Sequence, residues 1–142
     1  MDYDQLSRTL LSAMKKIHDS QVQKQINASL SGETYVLQYL AHQGHDVIPS
    51  EISDAVQVST ARVTAALNGL EDKGFITRQI DTSDRRRILV RLTPAGNREA
   101  AEHKAMVLGN VADTLRGLGE HDAQEYVRII GRLVDIFSQQ AE

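Results

Sequence analysis

The segment from residue 56 to residue 96 constrains the fold more than any other part of this 142-residue chain. Apolar residues recur at helical spacing in its first part, and a lysine and a glycine then mark a helix end. Two short runs rich in β-branched residues follow, at positions 75–80 and 87–92, with a polar stretch between them. The alternation within the second run predicts one buried face on a two-stranded ribbon, formed by Ile88, Val90 and Leu92.

Three helices are predicted on the N-terminal side. Residues 2–28 carry apolar side chains three and four positions apart and predict one amphipathic helix. A second helix is expected to begin with Ser31 as its N-cap and to end at Gly44. Pro49 and the acid two positions later suit the first turn of a third, short helix.

Two further helices are predicted after the ribbon. Thr93 and Pro94 have the residue types of an N-cap and a first helical position. This helix should reach about residue 115, where two glycines are expected to end it, Gly117 and Gly119. Acidic residues in a new first turn then favour a last helix from residue 120 onward.

The charge of the chain is polarised although its total is small. The formal net charge is −3, which taken alone argues against nucleic-acid binding. Residues 75–92, however, hold five arginines against two aspartates, a net charge of +3. Residues 99–142 hold four basic against eight acidic residues, a net charge of −4. Such a chain can present one surface to phosphate while the remainder is repelled from it.

Composition and motifs exclude several classes of protein. The absence of cysteine excludes disulfides and thiolate metal sites, and six aromatic residues offer no stacking platform for single-stranded bases. No apolar run approaches the roughly 20 residues of a membrane span, and the N-terminal residues lack the features of a signal sequence. No nucleophile elbow, phosphate-binding glycine loop or HExxH pair occurs. We therefore expect a cytoplasmic protein that is not an enzyme, uses no cofactor and has no membrane partner.

Residues 52–73 match the requirements of a helix-turn-helix, whose second helix enters the major groove of DNA. Ser59 is placed to cap that helix, where free N–H groups can meet a phosphate. Arg62 can donate two hydrogen bonds to the O6 and N7 of guanine. An ordinary surface helix rich in alanine is the alternative interpretation. The inward face is predicted to be Val63, Ala66, Leu67 and Leu70, and the remaining candidate DNA contacts are Thr60, Ala61, Thr64, Ala65 and Asn68.

The polar turn of the ribbon carries the densest positive charge of the chain. Its adjacent arginines, Arg85, Arg86 and Arg87, repel one another unless a polyanion or carboxylates compensate for them. Arg86 lies near the apex and is placed to enter a minor groove, with Asp84 orienting it through a charge-assisted hydrogen bond. Asp81 is expected to orient Arg85 or Arg87 in the same way. A solvated basic turn without a partner is the alternative.

Residues 1–142 predict a single domain, mainly α-helical with a small β-hairpin wing. Within it, residues 31–96 are expected to form a winged helix-turn-helix that binds DNA. Residues 1–30 and 97–142 supply helices with more apolar surface than one small domain needs. We expect these helices to interlock in a homodimer, because two copies double the phosphate contacts and match a palindromic site. A monomeric helical sandwich has the same pattern.

Three pieces of the central segment together resemble the MarR family of bacterial winged helix-turn-helix regulators: LEDKGFITR (70–78), DTSDRR (81–86) and LTPAG (92–96). The resemblance implies an obligate homodimer that places residues 59–68 in the major groove and Arg86, steadied by Asp84, in the minor groove. Arg78, which closes the first piece, is a further candidate contact. The family often has a basic residue at the position of Ala65 or Gly69. Its absence here is expected to shift DNA affinity toward Thr60, Arg62 and the wing.

The sequence thus predicts a sequence-specific DNA-binding transcriptional regulator. By the resemblance, it is a homodimeric repressor of a pseudo-palindromic duplex operator, released by a small-molecule effector. Two alternatives stay open. His42 and His45, with Asp46 beside them, carry zinc-ligand chemistry and would make a metal-responsive regulator of the same fold, although loop histidines on a surface explain the pattern as well. A winged-helix protein-interaction module would use the fold without DNA.

Overall fold

The computed structural model describes residues 1–29 and 32–141, and it is mainly helical with one antiparallel hairpin, which confirms the predicted fold class. Ile76 faces Leu92 and Ile80 faces Ile88 across the two strands. The predicted N-cap at Ser31 lies outside the described residues. None of the described helices is both long and apolar enough to cross a membrane. The elements are α1 (Tyr3–His18), α2 (Gln21–Ser29), α3 (Gly32–Gln43), α4 (Pro49–Val56), α5 (Thr60–Asp72), β1 (Ile76–Ile80), β2 (Ile88–Leu92), α6 (Pro94–Leu118) and α7 (Glu120–Gln140).

Internal contacts divide the chain into two compact units, Met1–Ala105 and Met106–Glu142. The first unit holds α1 to α5, the ribbon and the beginning of α6, and the second holds the rest of α6 and α7. The assignment of residues 1–142 to a single domain stays a prediction.

The hydrophobic core belongs to the first unit. It lies between α3, α4, α5, the base of the ribbon and the first turns of α6. The inward face predicted for α5 is confirmed, because all four of its residues are buried. The other core residues are Val36, Leu37, Leu40, Val47, Ile52, Ile76, Val90 and Ala100. Packing one face of α5 into this core holds its opposite face toward the outside.

The prediction of a single helix over residues 2–28 is wrong, because the helix is interrupted at Ser20 and two helices, α1 and α2, form instead. The Ser20 hydroxyl donates a hydrogen bond to the carbonyl of Ile17 at 2.5 Å and accepts the N–H of Gln23 at 3.2 Å. A serine side chain that bonds to nearby backbone groups competes with the helix, and here it starts α2 as its cap. At the other end of the chain, α6 continues through Gly117, and Gly119 with a φ of 83° ends it.

The end of α5 and the start of α6 meet through backbone contacts. Thr93 donates from its N–H to the Phe75 carbonyl at 3.0 Å and from its hydroxyl to the Gly74 carbonyl at 2.6 Å. The same hydroxyl accepts the N–H of Gly96 at 3.0 Å, which confirms Thr93 as the cap of α6. A Cβ added at Gly96 would lie 2.0 Å from the Phe75 carbonyl oxygen. Position 96 therefore requires glycine. The contacts of Thr93 and Gly96 with residues 74 and 75 also fix the point at which the ribbon leaves the core.

The loop before α4 supports the outer edge of β2. Val47 and Val90 exchange two backbone hydrogen bonds, of 3.2 and 2.7 Å. Beside this bridge, Nε and Nη2 of Arg91 donate to the two carboxylate oxygens of Asp46 at 2.9 and 2.7 Å. These hydrogen bonds from Arg91 hold the pKa of Asp46 below its ordinary value.

The buried face of the ribbon is shorter than the sequence alternation predicts. Val90 is buried and Leu92 is half-buried, but Ile88 is 46% exposed, so its assignment to the buried face is wrong. Ile80, its cross-strand partner, is 64% exposed. The apolar alternation continues beyond the point at which the ribbon leaves the core.

Candidate nucleic-acid interface

The outer surface of α5 consists of small and polar side chains. All six helix residues predicted as DNA contacts are exposed on it: Thr60, Ala61, Arg62, Thr64, Ala65 and Asn68. No acidic residue occurs between positions 59 and 70. Two alanines permit close approach to a groove floor, and Arg62 supplies the positive charge of this surface.

Ser59 caps α5 as predicted. Its Oγ accepts the N–H of Arg62 at 3.2 Å, and its own backbone is extended, with φ −64° and ψ 152°. The hydroxyl of Thr64 donates to the carbonyl of Thr60 at 2.9 Å. Because the hydroxyl proton of Thr64 is used in this hydrogen bond, the oxygen is available to an outside partner only as an acceptor. It can therefore bind a base amino group but not a phosphate oxygen, which is itself an acceptor.

The turn that joins α4 to α5 is held in an unusual backbone conformation. Gln57 adopts the left-handed region, with φ 52° and ψ 45°, and it ends α4. Ser53 of α4 holds the residue that follows Gln57, because its hydroxyl donates a hydrogen bond to the Val58 carbonyl at 2.8 Å. These two residues hold the short connection between α4 and α5.

Gly69 lies against the side chain of Glu33 on α3. A Cβ added to Gly69 would lie 1.9 Å from Oε1 of Glu33, so any side chain would have to displace that carboxylate. Glu33 is in turn bonded to Nζ of Lys73, at 2.5 Å. The ion pair between α3 and the end of α5 occupies the space that a longer side chain would need.

The wing turn presents Arg86 on a fixed base. Nε of Arg86 donates to Oδ1 of Asp84 at 3.2 Å, which confirms the predicted contact. The main-chain N–H of Arg86 donates to the same oxygen at 3.1 Å. The Arg86 side chain nevertheless stays 91% exposed. An exposed guanidinium with a defined starting direction is suited to insertion into a groove.

The expected pairing of Asp81 with Arg85 or Arg87 is wrong. Asp81 is buried, and its Oδ1 accepts the N–H and the hydroxyl of Ser83 at 2.9 and 2.7 Å. These hydrogen bonds from Ser83, with a smaller contribution from the charge of Arg87, hold the pKa of Asp81 below its ordinary value. Asp81 thus shapes the turn, and within the described residues Arg85 and Arg87 form no ion pair and remain exposed.

Arg78 lies at the base of the wing, away from the turn. Its Nε and Nη2 donate to the two oxygens of Glu71 at 3.2 and 3.1 Å. Those hydrogen bonds lower the pKa of Glu71 and raise that of Arg78. Sequence reasoning treated Arg78 as a DNA contact and missed its partner, although both stand in the run LEDKGFITR. The pair joins β1 to the last turn of α5.

A cleft of about 470 Å³ opens beside α5. Arg62 and Ala65, both candidate DNA contacts, lie on its wall, and sequence reasoning could assign no pocket residue. The remaining lining residues come from α3, from the end of α4, from the turn that follows it and from α5: Gly32, Glu33, Tyr35, Val36, Val56, Val58 and Ala66.

The geometry gives no support to the zinc alternative. Asp46 is occupied by Arg91, and Nδ1 of His45 lies 3.0 Å from the carbonyl oxygen of Asp46. Across residues 1–29 and 32–141, no group of three histidine or acidic side chains is gathered as metal ligands would be.

Comparison with known proteins gives a consistent result. A model of the MarR family matches residues 26–87. The HTH-type transcriptional repressor YetL of Bacillus subtilis is 24% identical over 94 residues, which cover 66% of this chain and 56% of that protein, so the match spans little more than half of this relative. The crystal structure of the YusO protein from Bacillus subtilis superimposes with a TM-score of 0.79 at 25% identity, covering 95% of this chain and 99% of the other. The crystal structure of Streptococcus pneumoniae FabT in complex with DNA superimposes with a TM-score of 0.69 at 25% identity, covering 98% of this chain and 99% of the other.

Proposed function

This chain belongs to the MarR family of winged helix-turn-helix transcriptional regulators, which are not enzymes, and we propose that it is a homodimeric repressor released from its operator by a small molecule. DNA-bound FabT, at 25% identity, supports duplex DNA as the partner. YetL, a relative whose name describes a repressor, supports repression. The observation that carries the proposal is the combination of an exposed α5 surface without acids and an exposed Arg86 fixed by Asp84.

In this proposal α5 enters the major groove. Ser59 and the first helical N–H groups meet a backbone phosphate, because a helix N-terminus attracts anions. Arg62 reads guanine through its two terminal donors, and the methyl groups of Ala61 and Ala65 contact thymine. Thr60 and Asn68 bond to base edges or to the backbone, and Thr64 accepts a hydrogen bond from a base amino group.

The wing enters the adjacent minor groove in the same complex. Arg86 occupies the groove, where narrowing concentrates negative potential, and Asp84 holds its direction. Arg85 and Arg87, exposed on either side of it, contact the phosphates that line the groove. Arg78 contributes indirectly, without contacting DNA, because its hydrogen bonds to Glu71 hold the ribbon to α5.

Apolar surface on the terminal helices supports the homodimer. In the first unit α1 has no buried residue and exposes an apolar stripe, Leu6, Leu10, Leu11, Met14 and Ile17. In the second unit α7 also has no buried residue and exposes Tyr126, Val127, Ile130, Leu133, Val134 and Phe137. Surfaces of this kind usually mark an interface with another chain. A substitution of Leu10→Asp should shift sedimentation toward the monomer, whereas Ser12→Asp on the same helix should leave the dimer intact.

The cleft beside α5 is the proposed effector site. Its walls carry apolar side chains from Tyr35, Val36, Val56 and Val58, together with the charged side chain of Arg62. This chemistry fits a small molecule with an apolar body and an anionic group. A ligand bound there would cover Arg62 and Ala65, so it would compete with the operator for the same residues.

Selection of bound fragments from a genomic library tests the proposal. We expect enrichment of a pseudo-palindrome whose half-sites lie about 10 base pairs apart, with an affinity that falls steeply as salt rises. A folded protein that enriches no fragment at low ionic strength would contradict DNA binding. The alternative is a winged-helix module that binds another protein. It would be the better description if replacing all three wing arginines, Arg85, Arg86 and Arg87, by alanine left binding to a protein partner unchanged.

A further inference from the structure

Two isoleucines form an exposed pair where the ribbon extends beyond the core. Ile80 and Ile88 are directly opposite each other in the strand register, and they are 64% and 46% exposed. They lie on the same face of the ribbon as the buried residues Ile76 and Val90, because side chains alternate along a strand. The ribbon therefore carries an apolar face past the last point at which the core covers it.

The direction of this face is set by Arg78. Residues 76, 78 and 80 of β1 share one face, and the Arg78 side chain on it reaches Glu71 at the end of α5. The Ile80–Ile88 pair is thus on the side of the ribbon that is turned toward α5. It stands between that helix and the arginine turn, immediately below the hydrogen bond from the Asp81 N–H to the Arg87 carbonyl.

The surroundings of the pair indicate what covers it. Arg85, Arg86 and Arg87 follow within a few residues and are exposed, and the ribbon segment 75–92 has a net charge of +3. An apolar patch within a positive surface fits a partner that is a polyanion with apolar faces. The deoxyribose rings of a DNA strand meet both conditions, since they alternate with phosphates along the wall between the two grooves.

We propose that Ile80 and Ile88 pack against deoxyribose on the strand that separates the major groove from the minor groove. This inference rests on the proposed function, in which α5 and Arg86 occupy those two grooves. The contact contributes affinity through burial of apolar area, without displacing counterions and without distinguishing bases. It also defines the depth to which Arg86 can enter.

The experiment compares Ile80→Thr/Ile88→Thr with the wild type on the selected operator over a range of salt concentrations. Threonine keeps the β-branched shape, so the ribbon should still form. We expect affinity to fall about tenfold, with the slope of log affinity against log salt unchanged, because no phosphate contact is lost. Gln79→Thr, on the opposite face, is the matched control and should bind like the wild type. Circular dichroism and thermal unfolding should show that both variants remain folded.

Three results would overturn the inference. One is unchanged affinity of the double variant while Arg86→Ala binds weakly. Another is a loss of affinity with a reduced salt slope, which would place the effect on the arginines. A third is normal DNA binding with altered sedimentation, which would assign the pair to a second copy of the chain. If the wild type binds no duplex at all, it is the proposed function that fails.

Discussion

In the wing turn, one oxygen of Asp84 accepts hydrogen bonds from both Nε and the main-chain N–H of Arg86, at 3.2 and 3.1 Å. A single carboxylate thus fixes the backbone and the direction of a side chain that is otherwise in water. Long charged side chains lose rotamer entropy when they bind. In the proposed complex, Asp84 reduces that loss by restricting Arg86 before DNA binds.

Replacing Arg86 with alanine should weaken operator binding by about 1–3 kcal/mol per half-site. The loss is expected because a guanidinium in a narrow groove interacts with concentrated negative potential. Fluorescence anisotropy with a labelled operator would measure it. Arg116→Ala, an exposed arginine paired with Asp113 on α6, serves as the control and should have no effect. Equal affinities for Arg86→Ala and the wild type would remove the wing from the interface.

Asp84 should act mainly through the side chain of Arg86. We expect Asp84→Ala to weaken binding less than Arg86→Ala does, and to have a smaller effect when Arg86 is already alanine, because only the main-chain hydrogen bond at position 86 is then lost. A double-mutant cycle measures this coupling. Asp84→Asn, which can still accept the main-chain N–H, should lie between the wild type and Asp84→Ala. Fully additive losses would show that the two residues act independently.

Arg62→Ala should change which sequences are bound more than how tightly they are bound. An arginine that pairs with guanine contributes discrimination at one base-pair position, of about 1–3 kcal/mol. Repeating the selection with the variant should therefore give a motif that is degenerate at one position in each half-site. A uniform loss across all sequences would make Arg62 a phosphate contact instead.

Arg78→Ala should reduce affinity without changing the number of phosphates that the protein neutralises. Two of its three guanidinium nitrogens already donate to Glu71, so its effect should come from loosening the ribbon against α5. The slope of log affinity against log salt should stay the same, and Glu71→Ala should cause a similar loss. A slope reduced by about one would instead identify Arg78 as a direct contact.

The ion pair between Asp46 and Arg91 should stabilise the protein at neutral pH and lose its effect in acid. Because the pKa of Asp46 is lowered in the folded state, its contribution is present above the ordinary aspartate pKa of about 3.9. The contribution disappears as the pH falls through the lowered value. Asp46→Asn should therefore lower the melting temperature at pH 7 by about 2–4 °C, and this difference should vanish in strong acid. Asp54→Asn, an exposed acid of α4, should show no such difference at either pH.

Signals carried by single residues predicted most of the central fold. Ser59, Thr93 and Gly74 mark helix ends whose geometry depends on local backbone chemistry, and the structure uses each one there. The inward residues of α5 were also predictable, because helical periodicity separates its two faces. The helix break at Ser20 was not predicted, since a serine can lie within a helix or cap a new one.

The errors and omissions concern contacts between distant residues. Alternation along β2 shows which side chains share a face, but it cannot show where the core ends, and Ile88 was therefore placed inside. The partners of Glu71 and Asp46 depend on how α5 and the loop before α4 lie against the ribbon. Asp81 was assigned to an arginine because charge is visible in a sequence, whereas its hydrogen bonds to Ser83 follow from the shape of the turn.

Gly96 sets a limit on how this protein can change its target. Its backbone lies against the Phe75 carbonyl with no room for a methyl group, so the contact between the first turn of α6 and the start of the ribbon accepts no larger residue at this position. If α5 reads the operator as proposed, new operator preferences should arise from exchanges on its exposed side while this contact stays unchanged. A library randomised at those positions should yield altered specificities, and one randomised at position 96 should return glycine alone.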